Sequence, residues 1–319
     1  MRKLRCAVLD DYQDVATTMA DWRPVLNRVE VAGFSRHFGT EDELVAAVSD
    51  FDMIVTLRER VPFPATVFAR LPRLRLLVAS GMRNSVIDFA AAVEHGVTVC
   101  GTESSSTPPV ELTWALLLGL ARNVVGESAA LRAGGPWQST MGADLHGRRL
   151  GLIGLGKIGS RVAAVGVAFG MEVVAWSRNL TAERAAAVGA AWVSETELLE
   201  SSDFVSVHVV LNQETAGLIG ASELALMKQS AYLINTSRAA IVDQDALLAT
   251  LRAGRIAGAG LDVFDIEPLP ADHPLRTAPR LLATPHLGYV SEANYRTYYG
   301  QAVEDIDAFL AGSPLRRLS

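Results

Sequence analysis

The stretch Gly154 to Gly159, "GLGKIG", has the glycine spacing that lets a backbone turn approach a pyrophosphate. An apolar run, "RRLGLI", precedes it and a helical pattern, "KIGSRVAAVGVAFG", follows. Gly154 is therefore expected to make the tight turn, Gly156 to let backbone close on phosphate, and Gly159 to allow close helix–strand packing. The helix start would add N–H groups and the positive end of the peptide dipole. Roughly 20 residues further on, where an acid usually bonds the ribose hydroxyls of NAD, the chain has Ser177, Arg178 and Asn179. A hydroxyl beside a guanidinium suits a 2′-phosphate, which arginine grips through charge-assisted, often bidentate, hydrogen bonds. This loop leans toward NADP(H) over NAD(H). Arg178 also reads as a solvated arginine on a site that takes NADH without its usual acid.

The elements that must position this turn are legible from the alternation of patterns. From Leu4 to Gly101 short apolar runs ("LRCAVLD", "RVEVAGF", "FDMIVTL", "LRLLVAS", "VTVCG") alternate with helical patterns such as "EDELVAAVSD", the signature of parallel βα units. A polar stretch, "GTESSSTPP", leads into "VELTWALLLGLARNVV", read as one long apolar helix with Thr107 as its N-cap and Pro108 and Pro109 in the first turn. Its apolar surface looks too wide for one side of contact, so it is expected to pack between domains or subunits. A second βα series then runs through "RRLGLIGLG", "EVVAWSR", "AAWVS", "DFVSVHVV", "SAYLINTS", "IAGAGLDV" and "RLLATPH", and the chain closes on a helix ended by Gly312.

Composition excludes several classes. With 319 residues, 50% hydrophobic and 20% charged, the chain suits two ordinary α/β domains. A formal charge of −6 without a Lys/Arg block argues against nucleic acid. Cys6 and Cys100 are the only cysteines, and no C-x-x-C or His-rich tract accompanies them, so neither a disulfide framework nor a metal site is expected and a reducing cytoplasm fits. Asp10 and Asp11 cut the first apolar run far short of a signal core or membrane span.

Four segments in order, "GRRLGLIGLGKIGSRVA", "LMKQSAYLINTSRAAIVDQDAL", "GAGLDVFDIEPLP" and "LLATPHLGY", make the second half resemble the D-isomer-specific 2-hydroxyacid dehydrogenases. Asn84 and Asp88 in "SGMRNSVID" resemble the matching loop of the first half. The resemblance implies two Rossmann-like domains with the active site in the cleft between them. A flavodoxin-like substrate domain would comprise 1–100 and 288–319, and an inserted dinucleotide-binding domain with a doubly wound parallel sheet would span 101–287. A homodimer formed through the cofactor domain is also implied.

By the same resemblance Arg238, Glu267 and His286 are the catalytic trio. Reduction of a 2-keto acid builds negative charge on the carbonyl oxygen, which must be stabilised and then protonated. Histidine suits that proton transfer near neutral pH. Glu267 is expected to orient the ring and raise its pKa, and Arg238 to polarise the carbonyl and grip the substrate carboxylate. Arg58, the backbone at Gly81 and Met82, and Tyr289 fall on substrate positions. Lys157 and Ile158 would offer N–H groups to the pyrophosphate, and Val209, Val210, Thr215, Thr236 and Asp262 fall where the family contacts the rest of the cofactor. The two valines also read as buried strand.

Three departures stand out. Ala239 replaces the usual glycine after the arginine, where a positive φ would be forbidden to it. Val210 and Asn212 replace a proline and a threonine in the cofactor loop, and Tyr289 replaces the second glycine after His286. The expected activity is reduction of a small 2-keto acid such as glyoxylate or hydroxypyruvate, or oxidation of the D-2-hydroxy acid. A nucleotide-sensing corepressor and a formate or phosphite oxidiser share the architecture and are the alternatives.

Overall fold

The structure, a computed structural model, describes residues 2–319. The chain divides into two compact units: one runs to Ser105 and takes in Ser291–Ser319, and the other is Ser106–Val290. Glu103 to Ser105 stay with the first unit because they bond to its last helix, Glu292–Leu310. The Glu103 N–H donates to Gln301, the Ser105 N–H donates to Asn294, and the Ser104 and Tyr298 hydroxyls share a bond of 2.9 Å.

In the first unit β1 (Leu4–Val8), β2 (Val29–Gly33), β3 (Met53–Thr56), β4 (Leu76–Ala79) and β5 (Thr98–Gly101) form a parallel sheet in the order β2-β1-β3-β4-β5. This is the flavodoxin-like order, in which ligands gather where the winding reverses, between β1 and β3. β3 and β4 are buried along their whole length, which is why their sequences are continuous apolar runs and not alternating ones. Ala7, Ile54, Leu77 and Val99 enter one core with Phe63 and Phe68. The last helix buries Tyr295, Tyr298, Tyr299 and Ile306 and ends before Gly312, which takes φ +78. Beyond it, Arg316 and Leu318 bond to β5, an extension the polar tail does not advertise.

The second unit holds β6 (Arg149–Ile153), β7 (Glu172–Trp176), β8 (Ala191–Trp192), β9 (Phe204–Val207), β10 (Tyr232–Asn235), β11 (Gly258–Leu261) and β12 (Leu281–Ala283). All pair in parallel in the order β12-β11-β10-β9-β6-β7-β8. This is the doubly wound dinucleotide-binding order with one strand added, and its reversal lies between β6 and β9. Leu150 and Leu152 face one core and Ile153 the other; Val173 and Val174 divide likewise. A sheet covered on both faces requires such strands.

The apolar stretch after Thr107 is two helices, Thr107–Ala121 and Val124–Arg132, broken where Asn123 takes φ +46. The cap position is Ser106, with Thr107 already inside the first turn. The first helix packs against β10, β11, β12 and the helix Lys157–Ala168. These layers within its own unit bury Val110, Trp114, Leu116 and Leu117, while Leu112, Leu118 and Leu120 are half-buried. Among the described residues no helix is long and apolar enough to cross a membrane. Cys6 and Cys100 are buried free thiols, pushed up to about 12 chiefly by desolvation.

Candidate active site

β6 delivers the chain into the glycine turn at the point where the sheet order reverses. Gly154 has φ +100, a conformation closed to residues with a side chain, and a Cβ there would also press on the His208 carbonyl at 2.8 Å. A Cβ at Gly159 would collide with the Gly154 carbonyl oxygen, whereas one at Gly156 would meet nothing within 4 Å. Gly154 and Gly159 are thus required by packing, and Gly156 leaves open space in front of the helix Lys157–Ala168, whose first residues are Lys157 and Ile158. An open glycine before a helix N-terminus fits a dinucleotide pyrophosphate. Behind the turn His208 is half-buried, and desolvation pushes its imidazole down to about 4.

Ser177 and Arg178 follow the end of β7. Ser177 is half-buried and its carbonyl accepts from the Leu180 N–H, while Arg178 is exposed and pairs with Glu214 at 2.6 Å. Glu214 lies on the loop after β9, which also carries Val209, Val210 and Thr215. Both valines lie beyond the strand: Val209 is half-buried, and Val210 is 75% exposed and so no part of a buried strand. The Thr215 hydroxyl donates to the Val210 carbonyl at 2.7 Å. Asn212, the departure from the usual threonine, accepts from the Glu214 and Thr215 N–H groups and so shapes this loop.

β10 ends in the segment that presents Arg238. Buried Asn235 accepts from the Ser237 N–H and donates to the Arg238 carbonyl at 3.0 Å, fixing the backbone of the arginine. Thr236 bonds through its hydroxyl to Thr113 at 2.8 Å; because Thr113 donates to the Pro109 carbonyl, Thr236 is the donor. Ala239 opens the 3-10 turn Ala239–Ile241 and has no positive φ, so the expected conflict with its methyl does not arise.

The ends of β11 and β12 bring Asp262, Glu267, His286 and Tyr289 together. The Glu267 carboxylate accepts from the Phe264 N–H at 2.9 Å through one oxygen and meets His286 Nδ1 at 2.6 Å through the other. Gln244 donates to the Val263 carbonyl and accepts from the Asp265 N–H, supporting the same loop. His286 sits at φ +53, uncommon for a residue with a side chain. Its turn is held by Asp262, wholly buried, whose carboxylate accepts from the Thr284 hydroxyl and the Leu287 and Gly288 N–H groups at 2.7, 2.7 and 2.8 Å. Burial pushes this carboxyl above its ordinary range, opposed by these hydrogen bonds and the nearby imidazole. The Tyr289 phenol is buried and stands edge-on to the His286 ring, centroids 5.6 Å apart. The sequence reading missed Asn235, Gln244 and the bracing by Asp262; "NTS" and "LDVFD" were the available signals.

In the first unit Arg58, at φ +53 beyond β3, donates its N–H to the Ser80 hydroxyl at 2.7 Å, and Asn84 donates to its carbonyl at 2.8 Å. Gly81 has φ +99, and a Cβ there would lie 2.6 Å from an Arg58 guanidinium nitrogen, so only glycine lets the two approach. Met82 is exposed, and Asp88 caps the helix Phe89–Glu94.

Comparison with known proteins gives the family and the fold. The family model described as the NAD binding domain of D-isomer specific 2-hydroxyacid dehydrogenases matches residues 114–288. A glyoxylate reductase of Aeropyrum pernix is 38% identical over 281 residues, covering 85% of this chain and 83% of that protein. A D-3-phosphoglycerate dehydrogenase of Methanocaldococcus jannaschii is 34% identical over 277 residues, 86% of this chain but 52% of the relative, so the chain spans about half that protein's length. The crystal structure of a phosphoglycerate oxidoreductase from Vibrio cholerae superimposes with a TM-score of 0.92 at 33% identity, covering 97% of this chain and 100% of that one.

Proposed function

Because the chain belongs to the D-isomer specific 2-hydroxyacid dehydrogenase family, we propose that it interconverts a small 2-keto acid and its D-2-hydroxy acid with NAD(P)(H), glyoxylate and hydroxypyruvate being the first candidates. The observation that carries this reading is the His286–Glu267 contact at 2.6 Å in a turn held by a buried carboxylate. A bound nicotinamide would supply the hydride to the carbonyl carbon. Arg238 stabilises the negative charge that develops on the carbonyl oxygen, its backbone fixed by Asn235. Glu267 engages Nδ1, which selects the ring tautomer and directs Nε2 to deliver the proton to that oxygen; in the oxidative direction Nε2 removes it.

The second unit serves as the dinucleotide-binding domain and the first as the substrate domain. Gly154, Gly156, Lys157, Ile158 and Gly159 hold the pyrophosphate, with Val209, Val210, Thr215 and Thr236 along the rest of the cofactor. The Asp262 carboxylate, engaged by three internal donors, contributes mainly by holding the His286 turn. Ser177 and Arg178 favour NADP(H) over NAD(H). Arg58 and the backbone at Gly81 and Met82 contact the substrate carboxylate, and Tyr289 limits the substrate side chain.

A cytoplasmic homodimer is the assembly proposed. Exposed Val124, Val125, Leu131, Trp137 and Met141 within one segment of 18 residues support the dimer, and two buried free thiols support the compartment. The test is steady-state kinetics on glyoxylate, hydroxypyruvate and 2-keto acids of increasing side-chain size with NADPH and NADH. Turnover of the small acids with NADPH favoured is expected. No turnover of any 2-keto acid would overturn the reading and favour a nucleotide sensor.

A further inference from the structure

The Arg178–Glu214 pair joins the two loops that follow β7 and β9, the strands on either side of β6 and its glycine turn. Glu214 is not loosely placed. Asn212 accepts from the Glu214 and Thr215 N–H groups at 2.9 and 3.1 Å, the Asn212 N–H donates to the Thr215 hydroxyl at 2.8 Å, and that hydroxyl donates to the Val210 carbonyl. The short closed turn fixes where the glutamate backbone lies. More negative charge stands in the same corner. Burial and Glu223 push the Glu195 carboxyl above its ordinary range, and the Arg178 guanidinium pulls it back. Arg178 thus faces two carboxylates, one of them in direct contact.

We propose that Glu214 is a specificity residue that moderates the choice between NADP(H) and NAD(H) by competing with the 2′-phosphate for Arg178. The inference rests on the reading of Arg178 as the 2′-phosphate contact. A guanidinium committed to a carboxylate has to give up that pair, or share its donors, before it binds a phosphate. Both partners are 60% and 61% exposed, so the pair is weak enough to be displaced and its removal has a moderate effect. The unusual Asn212 gains a role, since it builds the turn that presents the competitor.

The test measures dissociation constants of NADPH and NADH by fluorescence titration for the native protein, Arg178→Ala, Glu214→Gln and the double variant, with thermal melts to confirm folding. Arg178→Ala is expected to weaken NADPH relative to NADH. Glu214→Gln is expected to strengthen NADPH relative to NADH by about three- to tenfold. In the double variant that gain disappears. If Glu214→Gln leaves the ratio unaltered while Arg178→Ala lowers it, the inference fails and the Arg178 reading stands. An equal gain in the Arg178→Ala background would mean that the carboxylate acts on the phosphate directly, overturning the competition. If Arg178→Ala leaves the ratio unaltered, the Arg178 reading falls and the inference falls with it.

Discussion

The two units are built on one plan, a parallel sheet with polar side chains past the carboxyl ends of its strands, yet two wholly buried carboxylates, Asp262 in one and Asp10 in the other, are engaged in opposite ways. In the second unit Asp262 is wholly buried and accepts three hydrogen bonds, all from the turn that carries His286. In the first unit Asp10 is equally buried, at φ +54, with one oxygen facing Tyr12 and His37 and the other without a hydrogen-bond partner among the described residues. A fully bonded buried carboxylate rigidifies what it holds, whereas a half-bonded one weakens its surroundings. The contrast is local to Asp10: the second unit locks the turn assigned to proton transfer through Asp262, and in the first unit Asp11 is engaged through both oxygens, accepting from the Val15 and Ala16 N–H groups at 3.0 Å each, whereas Asp10 beside it is half-bonded.

The largest expected effect falls on the second unit. Arg238→Ala should lower kcat/KM for 2-keto acid reduction by about a thousandfold, because a preorganised charge at the developing oxyanion is lost; steady-state kinetics read this, and a loss under tenfold would remove Arg238 from the chemistry. Next comes the contrast itself. Asp262→Ala strands three donors and should cost about 2–4 kcal/mol in urea unfolding, whereas Asp10→Ala should cost less than about 1 kcal/mol. Equal costs would break the comparison. Arg58→Gln should raise KM by about tenfold with a smaller change in kcat, as expected of uniform substrate binding; a pure kcat effect would move Arg58 into the chemistry.

The smallest effect is on pH stability. His208, lowered from 6.5 to about 4 in the folded second unit, binds fewer protons there than when unfolded, so stability is complete above 6.5 and falls as pH drops toward 4. Asp305 in the first unit is wholly buried beside Arg316 at 3.0 Å, yet its carboxyl is raised from 3.8 to about 6, mainly by desolvation. Its folded form binds more protons, so its contribution is complete below 3.8 and is lost as pH rises through 6. The two slopes oppose each other between about 4 and 6, leaving a net change below about 1 kcal/mol per pH unit. His208→Asn should uncover the Asp305 slope, and Asp305→Asn the His208 slope, in unfolding midpoints measured against pH.

Legibility in the sequence followed the range of the interactions. The segments read as strands formed β1–β12: burial on both faces wrote contiguous apolar runs into β3 and β4, while the more exposed edge strands β2, β8 and β12 were legible from their place in the βα alternation. The glycine turn was readable because its glycine spacing falls within six residues, although the close approach of His208 to Gly154 was not. The break at Asn123 was hidden because the apolar pattern resumes at Val124 and Val125, and the pairing of Arg316 and Leu318 with β5 by a polar tail without a period. The Glu267–His286 contact, 19 residues apart in the chain, depends on a left-handed backbone at His286 and on Asp262. Motif resemblance supplied those residue positions; only the fold reveals the bracing. The Arg178–Glu214 pair joins loops from two separate strands, and nothing local to either announces it.

The central claim, that His286 exchanges the substrate proton while the glycine turn independently holds the cofactor, is tested most directly by one paired measurement on His286→Ala. Turnover of glyoxylate or hydroxypyruvate and the dissociation constant of NADPH are measured on the same sample. The account predicts a fall in kcat of about a thousandfold with NADPH affinity within about twofold of the native protein. Turnover within tenfold of native, with cofactor binding intact, would contradict it.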